Sequence, residues 1–137
     1  MSKAYKGGCA CGAIRYEIAD EPMVMNDCQC GDCQRRSGTG HGSYLTFKRD
    51  GAKISGETKH WDMLDDNGNV KTSAFCPTCG SPLYFTFKPN PDFIAVHAAS
   101  LDDPTRFKPQ AVTYGIRAYD WDPLDPKLPV FDTMPPR

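Results

Sequence analysis

The chain has 137 residues, 39% of them hydrophobic and 24% charged, which suits one globular domain. Its 16 basic and 17 acidic residues leave a net charge of −1, so it lacks the positive surplus that holds a nucleic-acid backbone or an anionic membrane. The N-terminal segment has no secretory apolar core, and no apolar run approaches the ~20 residues of a membrane helix. We therefore expect a cytoplasmic protein that binds neither nucleic acid nor membrane.

Short strands separated by turns are predicted along the chain. Twelve glycines and twelve prolines argue against long helices, and no amphipathic stretch of ten residues or more is present. Alternating or β-branched patterns predict strands, in chain order, at 13–18, 44–47, 83–87, 93–98 and 112–116. The expected fold is mainly β, with little helix.

Two further segments complete this prediction. The dipeptide Asn67-Gly68 predicts a hairpin that joins 58–64 to 70–75. The proline-rich segment 122–137 is expected to be an extended surface tail. We therefore predict a single domain over 1–137 with a core of about 5–121.

The seven cysteines fall into three closely spaced groups. These are the first pair (Cys9 and Cys11), the middle cluster (Cys28, Cys30 and Cys33) and the last pair (Cys76 and Cys79). The cytosol keeps thiols reduced, and an odd number cannot all pair, so a disulfide framework is not expected. Packing cysteines would be scattered through apolar strands. The grouping therefore predicts metal binding, and thiolate is the favoured ligand of structural zinc.

The division of the seven thiolates between metal ions stays open from spacing alone. A closed zinc site needs four ligands, so four plus three is the most natural division. The last pair lies in the zinc-knuckle sequence CPTCG, and the glycine-flanked first pair would complete a four-thiolate structural site. The middle cluster would then hold a second zinc. Alternatively, Cys30 and Cys33 join the last pair, or all the thiolates form a single cluster.

The middle cluster is one ligand short of a closed zinc site. Among the histidines, His41 is the best candidate for the fourth ligand, since it follows Cys33 by eight residues. Otherwise water or a substrate atom takes that position. Zinc with three thiolates carries a formal charge of −1 and acidifies bound water poorly. Such a site is better suited to capturing a thiol substrate than to generating hydroxide.

Polar residues near the middle cluster are candidates for substrate binding and proton transfer. Arg35 and Arg36 could offset the charge of the site or hold the carboxylates of a thiol ligand, and with Ser37 they form the predicted substrate-binding set. Ser37, Tyr44 and Ser100 are the candidates for protonating an alkoxide during the reaction.

Four segments together resemble the glutathione-dependent formaldehyde-activating enzyme family, to which centromere protein V is related. They are GGCACGAIRY, CQCGDCQRRSG, FCPTCGSPLYF and SLDDP, and the resemblance extends from about Tyr5 to Trp121. It implies a β-tent fold of small coiled antiparallel sheets and a structural zinc on the first and last pairs. It also implies a second zinc on the middle cluster, with the glutathione thiol as its fourth ligand. The implied activity is condensation of formaldehyde with glutathione to S-hydroxymethylglutathione.

Three positions differ from the pattern of that family. Gln29 stands where histidine is usual, Gln34 where arginine is usual, and Val112 near the usual place of another histidine. The seven cysteines are kept, while positions around them differ.

Two main functional hypotheses follow. The first is a zinc-dependent carbon–sulfur lyase that acts on an adduct of glutathione or a similar thiol, with two zinc ions per chain. The alternative is a non-catalytic zinc-binding module for protein interaction, in which Trp61, Tyr119 and Trp121 could form an interface although packing in the core or in a strand is expected of each. A thiol redox or metal-buffering role is the third hypothesis.

Overall fold

The computed structural model describes residues 3–135 and has a mainly β fold, as predicted. The strands in this range are β1 (Tyr5–Gly8), β2 (Arg15–Ile18), β3 (Val24–Cys28), β4 (Gly42–Lys48), β5 (Ala52–Ser55), β6 (Lys59–Leu64), β7 (Val70–Phe75), β8 (Pro82–Phe87), β9 (Phe93–His97) and β10 (Ala111–Thr113). The α-helix is α1 (Gly31–Ser37), and 3₁₀ turns cover Arg49–Gly51, Ala98–Ser100, Pro104–Arg106 and Gly115–Arg117. Within residues 3–135, no helix has the length and apolar character needed to cross a membrane.

The strands form two sheets of unequal size. Three strands make an antiparallel sheet in the order β1-β2-β5. The other seven make a sheet in the order β10-β3-β4-β9-β8-β7-β6, in which only the pairing of β10 with β3 is parallel. The larger sheet therefore combines strands from distant parts of the chain, from β3 to β10.

Most predicted strands are present with shifted ends. The Asn67-Gly68 hairpin is confirmed as β6 and β7, and Gly68 takes the positive φ of 79° that this turn requires. The prediction for 112–116 is wrong in its second half. Strand β10 ends at Thr113 because Tyr114 takes a left-handed conformation with φ of 56°, which no extended strand accommodates.

The tail lies beside β10, and its described part runs to residue 135. The Val112 N–H donates to the Pro129 carbonyl at 2.9 Å, and the Phe131 N–H donates to the Val112 carbonyl at the same distance. The Gly115 N–H in turn donates to the Phe131 carbonyl at 2.9 Å. The segment contains turns, one of them closed by the Leu128 N–H, which donates to the Asp125 carbonyl at 3.2 Å, and these backbone hydrogen bonds attach it to the edge of the larger sheet.

Strand alternation gives the larger sheet two different faces. Successive side chains on a strand point to opposite faces. Residues that are paired across neighbouring strands point to the same face, so each face is continuous across these strands. One face packs against the three-stranded sheet and forms the main core, which includes Ile18, Leu45, Phe47, Ala74, Ile94 and Val96.

The opposite face, called the cavity face here, is formed by Tyr44, Ser73, Phe85, Ala95 and His97. The ring centroids of Tyr44 and His97 are 4.9 Å apart, and the Phe85 ring lies 5.5 Å from each. Among the described residues, the buried side-chain atoms without a hydrogen-bond partner are the Tyr44 hydroxyl, the Ser73 hydroxyl and His97 Nε2. All three belong to this face, where an unmatched polar group is costly unless a ligand or water meets it.

Burial of His97 makes stability depend on pH. Desolvation, reinforced by the nearby charge of Arg36, lowers the pKa of His97 from its ordinary 6.5 to about 4. Between these values the unfolded chain binds a proton that the folded chain does not, so the free energy of unfolding falls as the pH drops through this window. We expect His97 to account for a loss of about 2 kcal/mol between about pH 7 and pH 5.

Urea unfolding of His97→Phe at both pH values checks this expectation. The variant keeps an aromatic ring and should lose the His97 share of the pH dependence. An equal pH dependence in the wild type and His97→Phe would contradict the prediction.

Candidate metal centres

Four cysteines from distant parts of the chain meet between the two sheets. The Sγ atoms of Cys9, Cys11, Cys76 and Cys79 all lie within 4.8 Å of one another. The Cys11 Sγ is 3.6 Å from the Sγ atoms of both Cys9 and Cys76. A tetrahedral zinc with Zn–S bonds of about 2.3 Å separates its sulfurs by about 3.8 Å, so this cluster has the size and the donor atoms of a closed zinc site.

The backbone around the last pair is folded towards the sulfur atoms. The N–H groups of Thr78 and Cys79 point at the Cys76 Sγ at 3.3 and 3.5 Å, and Gly80 closes the loop with a φ of 77°. Hydrogen bonds from Ser81 lower the pKa of Cys79 to about 5. These contacts favour the thiolate form, which is the form that binds metal.

The middle cluster forms a second group of three thiols. Cys28 ends β3, Cys30 is the N-cap residue of α1 and Cys33 lies in its first turn. Their Sγ atoms lie within 4.8 Å of one another, and those of Cys30 and Cys33 are 2.9 Å apart. The Cys33 N–H donates to the Cys30 Sγ at 3.3 Å. Three soft donors on a rigid strand–helix junction suit zinc and leave one coordination position for another ligand.

The middle cluster concentrates negative charge in a buried place. Hydrogen bonding with the Cys28 and Cys33 thiols holds the pKa of Cys30 far below its ordinary value, and the positive charge of Lys71 contributes to this. The pKa of Cys28 is raised, mainly by its hydrogen bond with Cys30. These contacts favour the thiolate form of Cys30, which is the form that binds metal.

Lys71 reaches the middle cluster from β7. Its Nζ is 3.9 Å from the Cys30 Sγ, 3.4 Å from an Asp32 carboxylate oxygen and 4.8 Å from the centre of the Phe85 ring. Burial would lower the pKa of Lys71, but the thiolates of the cluster and Asp32 raise it above its ordinary value. The lysine thus stays charged although its side chain is only 12% exposed.

A cavity of about 660 Å³ lies over the cavity face and opens onto the middle cluster. This volume is typical of small-molecule sites. Tyr44, Lys71 and Phe85 form part of its inner wall, while Arg117 and Met134 contribute from the end of the chain. The sequence carries no local signal for Lys71, Arg117 or Met134, because only the fold brings them to the cysteines.

The three predicted substrate-binding residues occupy different positions. Arg35 is exposed and lines the cavity. The Arg36 guanidinium lies 3.8 Å from the Met63 sulfur, and Arg36 is absent from the cavity wall formed by the described residues. The Ser37 hydroxyl donates to the Gln34 carbonyl at 3.3 Å, so it stabilises the C-terminal end of α1. Only Arg35 is therefore brought to the cavity.

Ser100 and Tyr44, two of the candidates for proton transfer, have different hydrogen-bond contacts. The Ser100 hydroxyl donates to the His97 carbonyl at 2.7 Å and lies 2.6 Å from the Tyr16 hydroxyl, so it has partners outside the cavity. The Tyr44 hydroxyl lines the cavity and has no partner among the described residues. Burial, followed by the Cys33 charge, raises the pKa of Tyr44, so its hydroxyl remains protonated.

His41 is not among the groups that surround the middle cluster, which corrects its prediction as a fourth ligand. Its Nδ1 is 2.6 Å from an Asp122 carboxylate oxygen, and its Nε2 is 3.9 Å from Asp27. Strand β4 begins at Gly42, directly after His41. Closeness in sequence to Cys33 therefore does not bring the ring to the thiols.

The positions that differ from the family pattern have structural contacts. Gln34 donates through its amide to the Gln29 carbonyl at 3.0 Å and to the Arg117 carbonyl at 3.1 Å. This side chain thereby joins α1 to the loop before it and to the 3₁₀ turn after β10. Gln29 and Val112 are both buried. In this chain these residues stabilise the frame around the middle cluster.

Comparison with known proteins agrees with this description of the fold and the cysteines. The family model of the glutathione-dependent formaldehyde-activating enzyme matches residues 4–117. A crystal structure of a Rhodobacter sphaeroides protein is 23% identical, with a TM-score of 0.61 over 79% of this chain and 99% of that one. That likeness shows a shared fold, and the family match includes all seven cysteines. The chain therefore belongs to the glutathione-dependent formaldehyde-activating enzyme family.

Proposed function

We propose that the protein is a zinc-dependent carbon–sulfur lyase that acts on an adduct of glutathione or a similar thiol, such as S-hydroxymethylglutathione. The observation that carries this proposal is the middle cluster, which offers three buried sulfur donors at the wall of a cavity of about 660 Å³. The family to which the chain belongs is described by glutathione and formaldehyde, and this supports the same substrate class.

The two cysteine clusters would have different roles. Cys9, Cys11, Cys76 and Cys79 would hold a structural zinc, and Cys28, Cys30 and Cys33 would hold a second one. Zinc at the second position would stabilise the substrate sulfur as a thiolate, since a coordinated thiol is deprotonated. In the synthetic direction that sulfur forms a bond to the aldehyde carbon, whose C=O electron pair moves to oxygen. In the lyase direction the carbon–sulfur bond breaks and the aldehyde leaves.

Tyr44 is the residue we assign to the oxygen of the adduct. This oxygen is an alkoxide after carbon–sulfur bond formation and has to gain a proton, whereas in the lyase direction it has to lose one. Tyr44 lines the cavity, and its hydroxyl is buried and lacks a partner among the described residues. A preorganised donor of this kind stabilises developing negative charge.

The charged groups at the cavity rim would bind the rest of the thiol substrate. Arg35 is exposed at the rim, and Arg117 forms an ion pair with Asp66 at 2.8 Å. Arginine pairs well with carboxylates, and glutathione carries two of them. Arg36 and Ser37 remain weaker candidates because neither is among the described residues that line the cavity.

Exposed aromatic side chains support the interaction-module hypothesis as the second candidate. Tyr119 and Trp121 stack at 4.9 Å, and Trp121 is 65% exposed, so the expectation that they pack in the core or in a strand is not met. Trp61 is likewise exposed, on the edge strand β6. Exposed aromatic rings are frequent at protein interfaces. A protein that binds zinc but accelerates no thiol–aldehyde exchange would favour this candidate.

The first expected outcome concerns zinc content. Purified protein should hold about two zinc ions per chain, because two thiol clusters have the donors for one each. Cys30→Ser should keep about one zinc and a folded core, whereas Cys79→Ser should lose the structural zinc together with much of the stability. Elemental analysis combined with thermal unfolding measures both. Equal zinc content in the wild type and Cys30→Ser would contradict the assignment.

The second expected outcome concerns activity. Zinc-loaded protein should accelerate exchange between formaldehyde, glutathione and S-hydroxymethylglutathione, as followed by exchange NMR. Tyr44→Phe should lower kcat about 10²-fold, the typical effect of removing one donor to a developing oxyanion. The matched control is Tyr119→Phe, which removes an exposed hydroxyl and should keep full activity. Failure of the zinc-loaded wild type to exceed the buffer rate would reject the enzyme proposal.

A further inference from the structure

The inner end of the cavity contains a buried positive charge next to the three thiols. Lys71 projects from β7 with a side chain that is 12% exposed, and its Nζ lies 3.9 Å from the Cys30 Sγ. The other cations at the cavity are nearer to solvent, since Arg35 is exposed and the Arg117 side chain is 46% exposed. Solvent screens charges at the rim much more than charges inside.

The charge of the centre explains why a buried cation matters there. Zinc with three thiolates has a formal charge of −1, and a fourth thiolate makes it −2. Asp32 adds another negative charge beside the cluster, 3.4 Å from the lysine. Concentrating negative charge in a partly buried site is unfavourable unless a positive charge compensates it.

We propose that Lys71 is a positioning residue that gives the middle cluster its affinity for an anionic sulfur ligand. This inference rests on the proposed function, because it concerns how the second centre accepts the substrate thiolate. Lys71 acts through its charge and its distance from the Cys30 Sγ, without being a metal ligand itself. Asp32 opposes it, since its carboxylate repels the same ligand.

If Lys71 had a purely structural role, we would expect different effects of substitution. The ion pair with Asp32 and the contact with the Phe85 ring could simply hold β7 and α1 together. In that case loss of either partner of the ion pair would have similar consequences. If the charge is what matters, removal of Lys71 weakens thiolate binding, while removal of the Asp32 charge strengthens it. The two substitutions therefore change the thiol affinity in opposite directions if the charge matters, and in the same direction if the ion pair is only structural.

The test uses protein in which cobalt(II) replaces zinc, because the absorption of cobalt reports directly on a new sulfur ligand. Glutathione and the small thiol 2-mercaptoethanol are titrated into the wild type, Lys71→Met, Lys71→Arg and Asp32→Asn. We expect Lys71→Met to weaken the binding of both thiols roughly tenfold or more. Lys71→Arg should stay within about threefold of the wild type, and Asp32→Asn should bind thiols more tightly.

Two controls accompany these titrations. Metal content, measured for every variant, should be the same, so that a weakened thiol response is not a loss of cobalt. Imidazole is a neutral ligand of the same metal, and its affinity should change less than threefold between the wild type and Lys71→Met.

The outcomes distinguish this inference from the proposed function. Equal thiol affinities in the wild type and Lys71→Met would overturn the role of Lys71 and leave thiol capture in place. Weaker thiol binding in Asp32→Asn would also overturn it, in favour of a structural ion pair. A cobalt spectrum of the wild type that responds to neither thiol would reject thiol capture itself, and with it this inference.

Discussion

Four cysteines from the two sheets of this protein lie close enough together to bind one metal ion. Cys9 and Cys11 follow β1 in the three-stranded sheet, whereas Cys76 and Cys79 follow β7 in the seven-stranded sheet. Cys11 and Cys76 are 65 positions apart in the chain, and their sulfurs are 3.6 Å apart. The free energy of metal binding at such a site is free energy of folding, so a zinc ion held there would stabilise the core between the sheets.

The larger sheet has one face that packs in the main core and one that lines the cavity. Its core face is filled by aliphatic and aromatic side chains. Its cavity face contains the polar atoms of Tyr44, Ser73 and His97, which have no partner among the described residues. The main core maintains a rigid sheet, and this rigidity keeps Lys71 and the Tyr44 hydroxyl close to the middle cluster.

Much of this arrangement was predictable from the sequence because its signals are local. The mainly β class follows from short alternating segments broken by glycine and proline, and the β6–β7 hairpin follows from Asn67-Gly68. The spacing of the cysteines favours the division into four and three that the structure shows. Tight spacing limits how far neighbouring sulfurs can separate, so such groups stay together in any fold.

The remaining features depend on contacts between distant residues. Lys71 is an ordinary polar residue of an alternating strand in the sequence, and its approach to Cys30 requires the register of β7 and the position of α1. His41 illustrates the reverse case, since it is near Cys33 in sequence but its imidazole contacts Asp122. Tyr114 ends β10 with a positive φ that its own sequence does not signal.

The central claim is that the protein has one closed sulfur site and one that takes up a substrate thiol. Cadmium NMR of protein loaded with cadmium in place of zinc tests this directly, because each site gives its own resonance and the resonance reports its sulfur ligands. We expect two resonances. One should not change when glutathione is added, and the other should shift as a fourth sulfur binds. The second resonance should be absent from Cys30→Ser. Two resonances that both stay unchanged when glutathione is added, or a single resonance in the loaded wild type, would contradict the claim.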